Sequence, residues 1–134
     1  MTTLIGLVPR LAGLGGMVSF QSRLIHQLEQ RSIAWTFELD DPGITSILVI
    51  GGTRQLLSLW QARRRGVRIV QRLNGMNWLH KVEPTRMRAA LRAELNNRLL
   101  NFIRNHLADD IVYQSEFSRH WWEQVFGQIG RAHV

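Results

Sequence analysis

The segment Ser46-Ile47-Leu48-Val49-Ile50, followed by Gly51-Gly52-Thr53, decides the fold class of this chain. A continuous apolar run of this length is typical of a strand that is buried on both faces of a parallel sheet. The glycines after it are predicted to open a helix with Thr53 as its N-cap. We expect the apolar face of that helix to consist of Leu56, Leu57 and Trp60. A parallel sheet covered by helices is therefore the first expectation.

Strands and helices alternate on either side of this segment. Apolar or alternating runs predict four further strands, at Thr3–Val8, Ile33–Leu39, Val67–Leu73 and Asp110–Gln114. Such alternation predicts an α/β fold, with a Rossmann-like parallel sheet of about five strands, right-handed crossovers and helices on both faces.

Three further helices follow from periodicity and from capping residues. Apolar residues three and four apart run from Met17 to Leu28, and Ser115 is predicted to cap a last helix that ends near Val125. Between them, Pro84 lies in the first turn of a long helix that reaches Leu107. The predicted core-facing stripe of the long helix is Met87, Leu91, Leu95, Leu99, Phe102, Ile103 and Leu107, with Arg88, Arg92, Arg98 and Arg104 mostly off it.

The composition narrows the class of protein. A chain of 134 residues with 45% hydrophobic residues is expected to form one soluble globular domain. Without cysteine it can form neither a disulfide nor a thiolate metal site. No apolar run approaches the roughly 20 residues of a membrane-spanning helix, and the N-terminal residues lack the basic segment of a signal peptide. We therefore expect a cytoplasmic protein.

The formal net charge is +7, and Lys81 is the one lysine among the 17 basic residues. A basic surface attracts phosphorylated ligands, anionic lipid or nucleic acid, although arginine-rich usage also follows from a GC-rich gene and a solvated face. Aromatic residues are not interleaved with the basic ones as single-strand binders require, so no nucleic-acid partner is predicted. A basic nucleic-acid-binding module stays open as a third reading, supported by charge alone. Peripheral contact with the cytoplasmic face of a membrane is a further expectation.

Ligands of open α/β sheets gather at the carboxyl ends of the strands. The strongest local feature at that edge is Gly13-Leu14-Gly15-Gly16, between a strand and a helix. Glycines let the backbone approach a ligand closely, and the helix N-terminus behind them presents unpaired N–H groups suited to phosphate. The alternative is a tight strand–helix turn without a ligand.

A dinucleotide site is the competing interpretation of this loop. Gly13 and Gly15 fit the Gly-x-Gly-x-x-Gly pattern, but Val18 stands where the third glycine belongs. Glu38 or Asp40 supplies an acidic residue near the end of the second strand. The alternative function is accordingly an NAD(P)-binding Rossmann domain of an oxidoreductase.

Other catalytic motifs are missing from the sequence. There is no Gly-Lys-Ser/Thr and no His-Glu-x-x-His, and the histidines have no ligand-like spacing, so no metal is predicted. His80, in the loop after the fourth strand, is the one histidine that is a candidate catalytic residue.

Three segments together resemble the GT-B glycosyltransferases of family 4. They are Gly13–Ile33, with its Gly-Leu-Gly-Gly-Met turn and Phe20–Leu24 in the helix, then Gly66–Gly75, and then Ala108–Arg119, which contains Ser-x-x-Ser before a helix. Each motif alone is weak, but their order and spacing are moderately specific. The similarity covers nearly all of residues 1–127.

The resemblance implies two Rossmann-like domains facing across a cleft, of which this chain is the N-terminal, acceptor-side one. It implies that Gly15 and Gly16 contact the donor diphosphate. Such enzymes transfer a sugar from a nucleotide-sugar co-substrate, with retention, to a glycan, a lipid-linked acceptor or a small molecule. They usually need no metal and no further cofactor. Their paired glutamates belong to the C-terminal domain, so the chain alone is expected to be inactive.

This chain departs from the family in one respect. Relatives often have a histidine at the end of the third or fourth strand, where Gly51-Gly52-Thr53 and Asn74-Gly75 stand here. A histidine-based role in this domain is therefore not carried over.

The loop after the fourth strand is predicted to form the acceptor-side wall of the cleft. Asparagine amides hydrogen-bond hydroxyl groups in either direction, a tryptophan ring suits a sugar or lipid, and a cation can meet a phosphate. The residues assigned to this wall are Arg72, Asn74, Gly75, Asn77 and Trp78. The predicted cleft edge comprises Gly52, Thr53, Ser115, Glu116 and Ser118.

The C-terminal tail has a separate explanation. Ile129–Val134 is the translation of ATC GGA AGA GCA CAC GTC, which lies within a common short-read library adapter. The adapter's preceding AG requires a codon that ends in AG, and CAG, which encodes Gln128, is such a codon. We expect residues 129–134 to be adapter read-through on a metagenomic gene fragment. Residues 1–128 are then an incomplete N-terminal domain, and His133 has no functional role.

Overall fold

A computed structural model describes residues 3–13, 15–73 and 87–134 of the chain. Its strands are β1 (Leu4–Val8), β2 (Ala34–Thr36), β3 (Ser46–Ile50), β4 (Arg68–Leu73), β5 (Asp110–Tyr113) and β6 (Ala132–His133). Its helices are α1 (Gly16–Gln30), α2 (Leu56–Arg64), α3 (Met87–Phe102) and α4 (Glu116–Phe126), and a π-helical segment (Ile103–Leu107) continues α3. In these ranges no helix combines the length and the hydropathy needed to span a bilayer.

The strands form one parallel sheet in the order β2-β1-β3-β4-β5-β6. The predicted α/β, Rossmann-like fold is thereby confirmed, with all five predicted strands and a short sixth at the edge. From β1 the chain first moves outward to β2, and from β3 it moves in the opposite direction to β6. The direction of winding therefore reverses between β1 and β3, which is the switch point of a doubly wound sheet.

Helices cover both faces of the sheet. On one face a single apolar core joins Ile47 and Ile69 of the sheet to Leu59 of α2, Ile103 after α3 and Trp122 of α4. Right-handed crossovers place α1, which packs beside β2, on the other face. The reversal thus separates α1 from the helices α2, α3 and α4.

Two predictions about local structure are wrong. The second strand is shorter than Ile33–Leu39, since only Ala34–Thr36 pairs with β1 and Leu39 is buried in the turn that follows. Thr53 is not the N-cap of α2, because the helix begins at Leu56 with Gln55 as its N-cap. The Thr53 hydroxyl instead accepts a hydrogen bond from the Gln55 N–H at 3.1 Å. Hydroxyl side chains often form such turns in competition with helical capping.

The apolar faces predicted for α2 and α3 are correct only in part. In α2, Leu56 packs against the core as predicted, but Leu57 and Trp60 are exposed, and Leu59 and Ala62 are buried in their place. In α3, Leu91 and Leu95 are each 58% exposed, and Phe102 is exposed as well. The members of the α3 stripe that do lie in the core are Ile103 and Leu107, with Leu99 half-buried, whereas Arg104, expected off the stripe, is fully buried.

Candidate functional site

The reversal between β1 and β3 brings two loops to the same carboxyl edge of the sheet. Residues 9–15 follow β1, and residues 51–55 follow β3. Val8 and Val49 lie opposite each other near the ends of these two strands, so the loops start side by side. A crevice at such a position is where open α/β sheets bind their ligands.

The glycine loop has backbone angles that side chains rarely adopt. Gly13 has φ of +92° and Gly15 has φ of +135°, whereas Gly16 lies outside the positive-φ region. A Cβ added at any of these three positions would meet no atom within 4 Å. The first two glycines are therefore required by the backbone, while the space above all three is open.

The N-terminus of α1 behind this loop has no capping side chain. Its N-cap is Gly15, no side chain hydrogen-bonds there, and no acidic residue lies in the first turn. The first intrahelical bond runs from the Ser19 N–H to the Gly15 carbonyl oxygen at 3.0 Å. The N–H groups of Gly16, Met17 and Val18 thus have no partner inside the helix, and the helix dipole favours an anion beside them.

A shallow depression of about 290 Å³ lies beside this helix terminus. Hydroxyl and guanidinium groups, which are donors suited to phosphate oxygens, contribute to its wall. The residues lining it are Gly13, Gly15, Val18, Ser19, Ser22 and Arg23.

The Gln21 side chain hydrogen-bonds the start of the glycine loop, a role that the sequence analysis did not predict. The side chain is buried, its Nε2 donates to the Pro9 carbonyl oxygen at 2.8 Å, and its Oε1 accepts from the Leu11 N–H at 3.1 Å. Its spacing could have revealed it, because a residue four after Met17 and seven before Leu28 shares their face of a helix. The loop's first residues are thus fixed to α1 by one amide.

Arg72 lies on the α1 side of the sheet, opposite Ile50 of β3. Its guanidinium carbon is 3.9 Å from the centroid of the Phe20 ring of α1, a cation–π contact. Partial burial lowers the pKa of the Arg72 guanidinium from its usual value. The structure therefore brings Arg72, predicted for the acceptor-side wall, against the helix that follows the glycine loop.

The loop after β3 packs against α3. Gly51 has φ of +79°, and its carbonyl oxygen accepts from the buried Gln71 amide at 2.8 Å. A Cβ at Gly52 would overlap the Leu100 side chain, so the glycine permits close approach of α3. Thr53 is buried, and its hydroxyl accepts a hydrogen bond from the Gln55 N–H. Arg54, which the sequence did not single out, is the exposed residue of this loop beside α3.

In the loop after β5, two serine side chains hydrogen-bond within the loop. The Ser115 hydroxyl accepts from the Ser118 N–H at 3.1 Å, which confirms Ser115 as the N-cap of α4. The two serine hydroxyls are 3.2 Å apart, and Ser118 is buried. Glu116 is exposed in the first turn, where its charge complements the helix dipole. The N-terminus of α4, unlike that of α1, is already capped and carries an acidic residue.

The remaining predicted site residues lie outside the described residues: Asn74, Gly75, Asn77, Trp78 and His80. The acceptor-side wall and the role of His80 therefore stay predictions. Within the described ranges, no group of three His, Asp or Glu residues could hold a metal ion. Glu38 and Asp40 are exposed beyond the carboxyl end of β2, the strand next to β1.

The chain was also compared with known proteins. No family model, no curated protein and no solved structure matches it. A functional assignment therefore depends on the motifs of the chain and on the geometry of this edge.

Proposed function

We propose that this chain is the N-terminal, acceptor-side domain of a retaining glycosyltransferase that uses a nucleotide-sugar donor. One observation supports it above all: an uncapped helix N-terminus stands behind an open glycine loop at the β1/β3 reversal. Gly15 and Gly16 are assigned to the donor diphosphate, as the family resemblance implies.

The chemistry of sugar transfer explains why such a terminus is useful. Transfer breaks the bond between the anomeric carbon and a phosphate oxygen, so negative charge develops on the departing nucleoside diphosphate. N–H groups that are already oriented stabilise that charge without reorganising at the moment of reaction. Arg23 supplies a positive charge in the wall of the same depression. The acceptor, a glycan, a lipid-linked molecule or a small molecule, is assigned to the loop after β4.

One observation favours a second candidate, an NAD(P)-binding domain of an oxidoreductase. Glu38 is exposed beyond the end of β2, where dinucleotide sites hold the ribose with a carboxylate. Two observations oppose it: Val18 replaces the third glycine, and β2 is the edge strand, whereas the dinucleotide fold adds a further strand beyond it. The glycosyltransferase is therefore preferred.

Calorimetric titration of the purified chain with UDP, GDP, NAD⁺ and NADP⁺ separates the two candidates. We expect UDP or GDP to bind, but only weakly, because the donor's other contacts belong to a second domain. We expect the dinucleotides not to bind. Arg23→Ala should weaken that binding, while Arg31→Ala, at the far end of the same helix, should leave it unchanged. Binding of NAD⁺ that is lost in Glu38→Gln would assign the chain to the oxidoreductases instead.

A further inference from the structure

The guanidinium of Arg72 is stacked on the ring of Phe20, and this contact couples β4 to the start of α1. The guanidinium carbon lies 3.9 Å from the ring centroid, whereas the two other cation–π contacts in the described part of the chain measure 5.0 and 5.2 Å. Both side chains are half-buried. Cation–π contacts are strongest where the two groups are desolvated. The position of this guanidinium is therefore fixed by the helix as well as by its own strand.

The stacked pair lies at the end of α1 that carries the glycine loop. Phe20 is one turn into α1, so its Cα is only about 6 Å along the helix axis from that of Gly16. Aromatic side chains in helices lean toward the N-terminus, which places the Phe20 ring over the first turn. That turn contacts the loop after β3, because the Met17 sulfur would lie 3.4 Å from a Cβ added at Gly51. Arg72 adjoins the same loop, since its carbonyl oxygen accepts from the Gly51 N–H at 2.8 Å. The guanidinium thus lies beside both the first turn of α1 and the loop after β3.

Stacking does not use the hydrogen-bond donors of a guanidinium. The aromatic ring contacts the face of this planar group, whereas its N–H groups point outward in the plane. A guanidinium held by its face can therefore bind a phosphate through two parallel N–H···O bonds at its edge. Because the stack limits the rotation of the arginine side chain, less conformational entropy is lost when the phosphate binds. A stacked Arg72 is thus suited to an anion that must be held in one orientation.

Three anions can meet a cation at this point: the diphosphate of the donor, a phosphate on the acceptor and a carboxylate of the second domain. The second domain is expected to face the carboxyl edge of the sheet and to hold the nucleotide and the sugar of the donor. The diphosphate then reaches this domain at the glycine loop, and Phe20 fixes Arg72 to the helix that begins there. The acceptor is assigned to the loop after β4 instead. The donor diphosphate is therefore the anion that the position of Arg72 favours.

We propose that Arg72 contacts the diphosphate of the nucleotide sugar and that Phe20 is the positioning residue that holds it there. The proposal rests on the sugar-transfer function and adds a cation of this domain to the backbone N–H groups of the glycine loop. It assigns Arg72 to the donor, whereas the sequence predicted it for the acceptor-side wall. A guanidinium that is already oriented stabilises the charge of the diphosphate with little reorganisation.

Nuclear magnetic resonance titration of the ¹⁵N-labelled full chain with inorganic pyrophosphate, and with UDP and GDP, tests the proposal. The Nε–H resonance of Arg72 should shift during the titration, and Arg72→Ala should lower the affinity at least about tenfold. Arg72→Lys keeps the charge but not the planar stack, so it should restore only part of that loss. Phe20→Leu should lower the affinity about fivefold, because the ring face is gone. Phe20→Tyr keeps the ring and should bind within about twofold of the unmodified chain.

A second cation–π pair supplies matched controls. Arg64 is stacked on Trp60 toward the end of α2, at the amino edge of the sheet. Arg64→Ala and Trp60→Leu remove the same groups as the test variants, yet both should bind pyrophosphate as the unmodified chain does.

Three results would overturn the proposal. They are no binding of pyrophosphate, equal affinity losses in the controls and in the test variants, and equal losses in Phe20→Tyr and Phe20→Leu, which would mean that Phe20 acts through packing alone. If UDP or GDP still shifted the amides of Gly16 and Met17 in those cases, the proposed function would stand without Arg72. If no nucleotide shifted them, the proposed function would fail as well.

Discussion

Gly15 and Gly16 are adjacent, yet the backbone requires glycine only at the first of them. Gly15 has φ of 135° and ψ of 171°, a region that essentially only glycine occupies. Gly16 begins α1 outside the positive-φ region, and its missing side chain leaves open space. The first glycine serves the fold, and the second is free to serve a ligand.

This difference predicts that substitution by alanine affects stability at Gly15 but not at Gly16. Gly15→Ala should lower the free energy of unfolding by about 1–3 kcal/mol, because alanine is strained at this backbone conformation. Gly16→Ala should leave the free energy of unfolding nearly unchanged. Urea unfolding followed by circular dichroism measures both. Equal stability of the two variants would mean that the loop changes conformation easily.

Gln21 supports a second prediction at the scale of single residues. Gln21→Leu keeps the size of the side chain but removes its bonds to Pro9 and Leu11. We expect a loss of about 1–3 kcal/mol in the free energy of unfolding, because a partly buried carbonyl and a partly buried N–H lose their partner. Hydrogen exchange at the Leu11 amide should accelerate more than exchange in β3. Unchanged exchange at Leu11 would show that the loop is held by other contacts.

The composition of the glycine loop predicted its backbone conformation, but not the hydrogen bonds from Gln21 that stabilise it. Glycines between a strand and a helix indicate positive φ, and Gly13 and Gly15 have it. The burial of the Gln21 amide was missed because a glutamine between the apolar residues of a helix is usually solvated. Residue type suggests burial only on average, whereas hydrogen-bond partners supplied by a distant loop decide individual cases.

At the scale of elements, α3 shows where periodicity misleads. The leucine spacing correctly predicted a helix but assigned the wrong side to the core. Packing decides the side: Leu100 contacts the Gly52 position, and Asn97 and Arg104 are buried on the side opposite Leu91. A helix with apolar residues on one side and buried polar residues on the other can be oriented only once its neighbours are known.

Arg104 ties three elements together. Its Nε donates to the Tyr113 hydroxyl of β5 at 2.9 Å, another nitrogen donates to Asn101 at 3.2 Å, and a third donates to the Gly127 carbonyl after α4. This burial was not predictable from the sequence, since an arginine near a helix terminus is usually solvated.

Arg104→Met should therefore lower the free energy of unfolding by about 2 kcal/mol, because buried acceptors lose charge-assisted bonds. Tyr113→Phe should cost about 1 kcal/mol, and the double variant should cost less than the sum. Urea unfolding of all three variants completes the cycle. If the two single losses add up to the loss in the double variant, Arg104 and Tyr113 contribute independently to the free energy of unfolding.

At the scale of the whole molecule, alternation of strands and helices predicted the parallel sheet. The strand order was not predictable, because local sequence does not say on which side of β1 the chain continues. The sixth strand was missed because two residues have no periodicity. Ala132 pairs with Ile111, and the Arg131 guanidinium donates to the Ala108 carbonyl at 3.1 Å. The structure thus gives the tail a place at the sheet edge, while its origin as adapter read-through stays a prediction.

The strand order determines which of the predicted loops act together. It places the loops after β1 and β3 beside each other, with Arg72 of β4 against α1. The loop after β5 lies two strands farther from β1 than the loop after β3 does, so Ser115 and Glu116 are separated from the glycine loop. The central claim is accordingly that the β1 loop and the N-terminus of α1 bind the diphosphate of a nucleotide sugar.

Amide chemical shifts of the ¹⁵N-labelled chain during titration with UDP and GDP test this claim most directly. The account predicts that the amides of Gly15, Gly16, Met17 and Val18 shift most, and that Gly16→Val abolishes these shifts while the variant stays folded. The valine side chain would fill the open space in front of the helix N-terminus. If these four amides stay unmoved while resonances elsewhere respond, or if Gly16→Val binds the nucleotide as well as the unmodified chain does, the claim is contradicted.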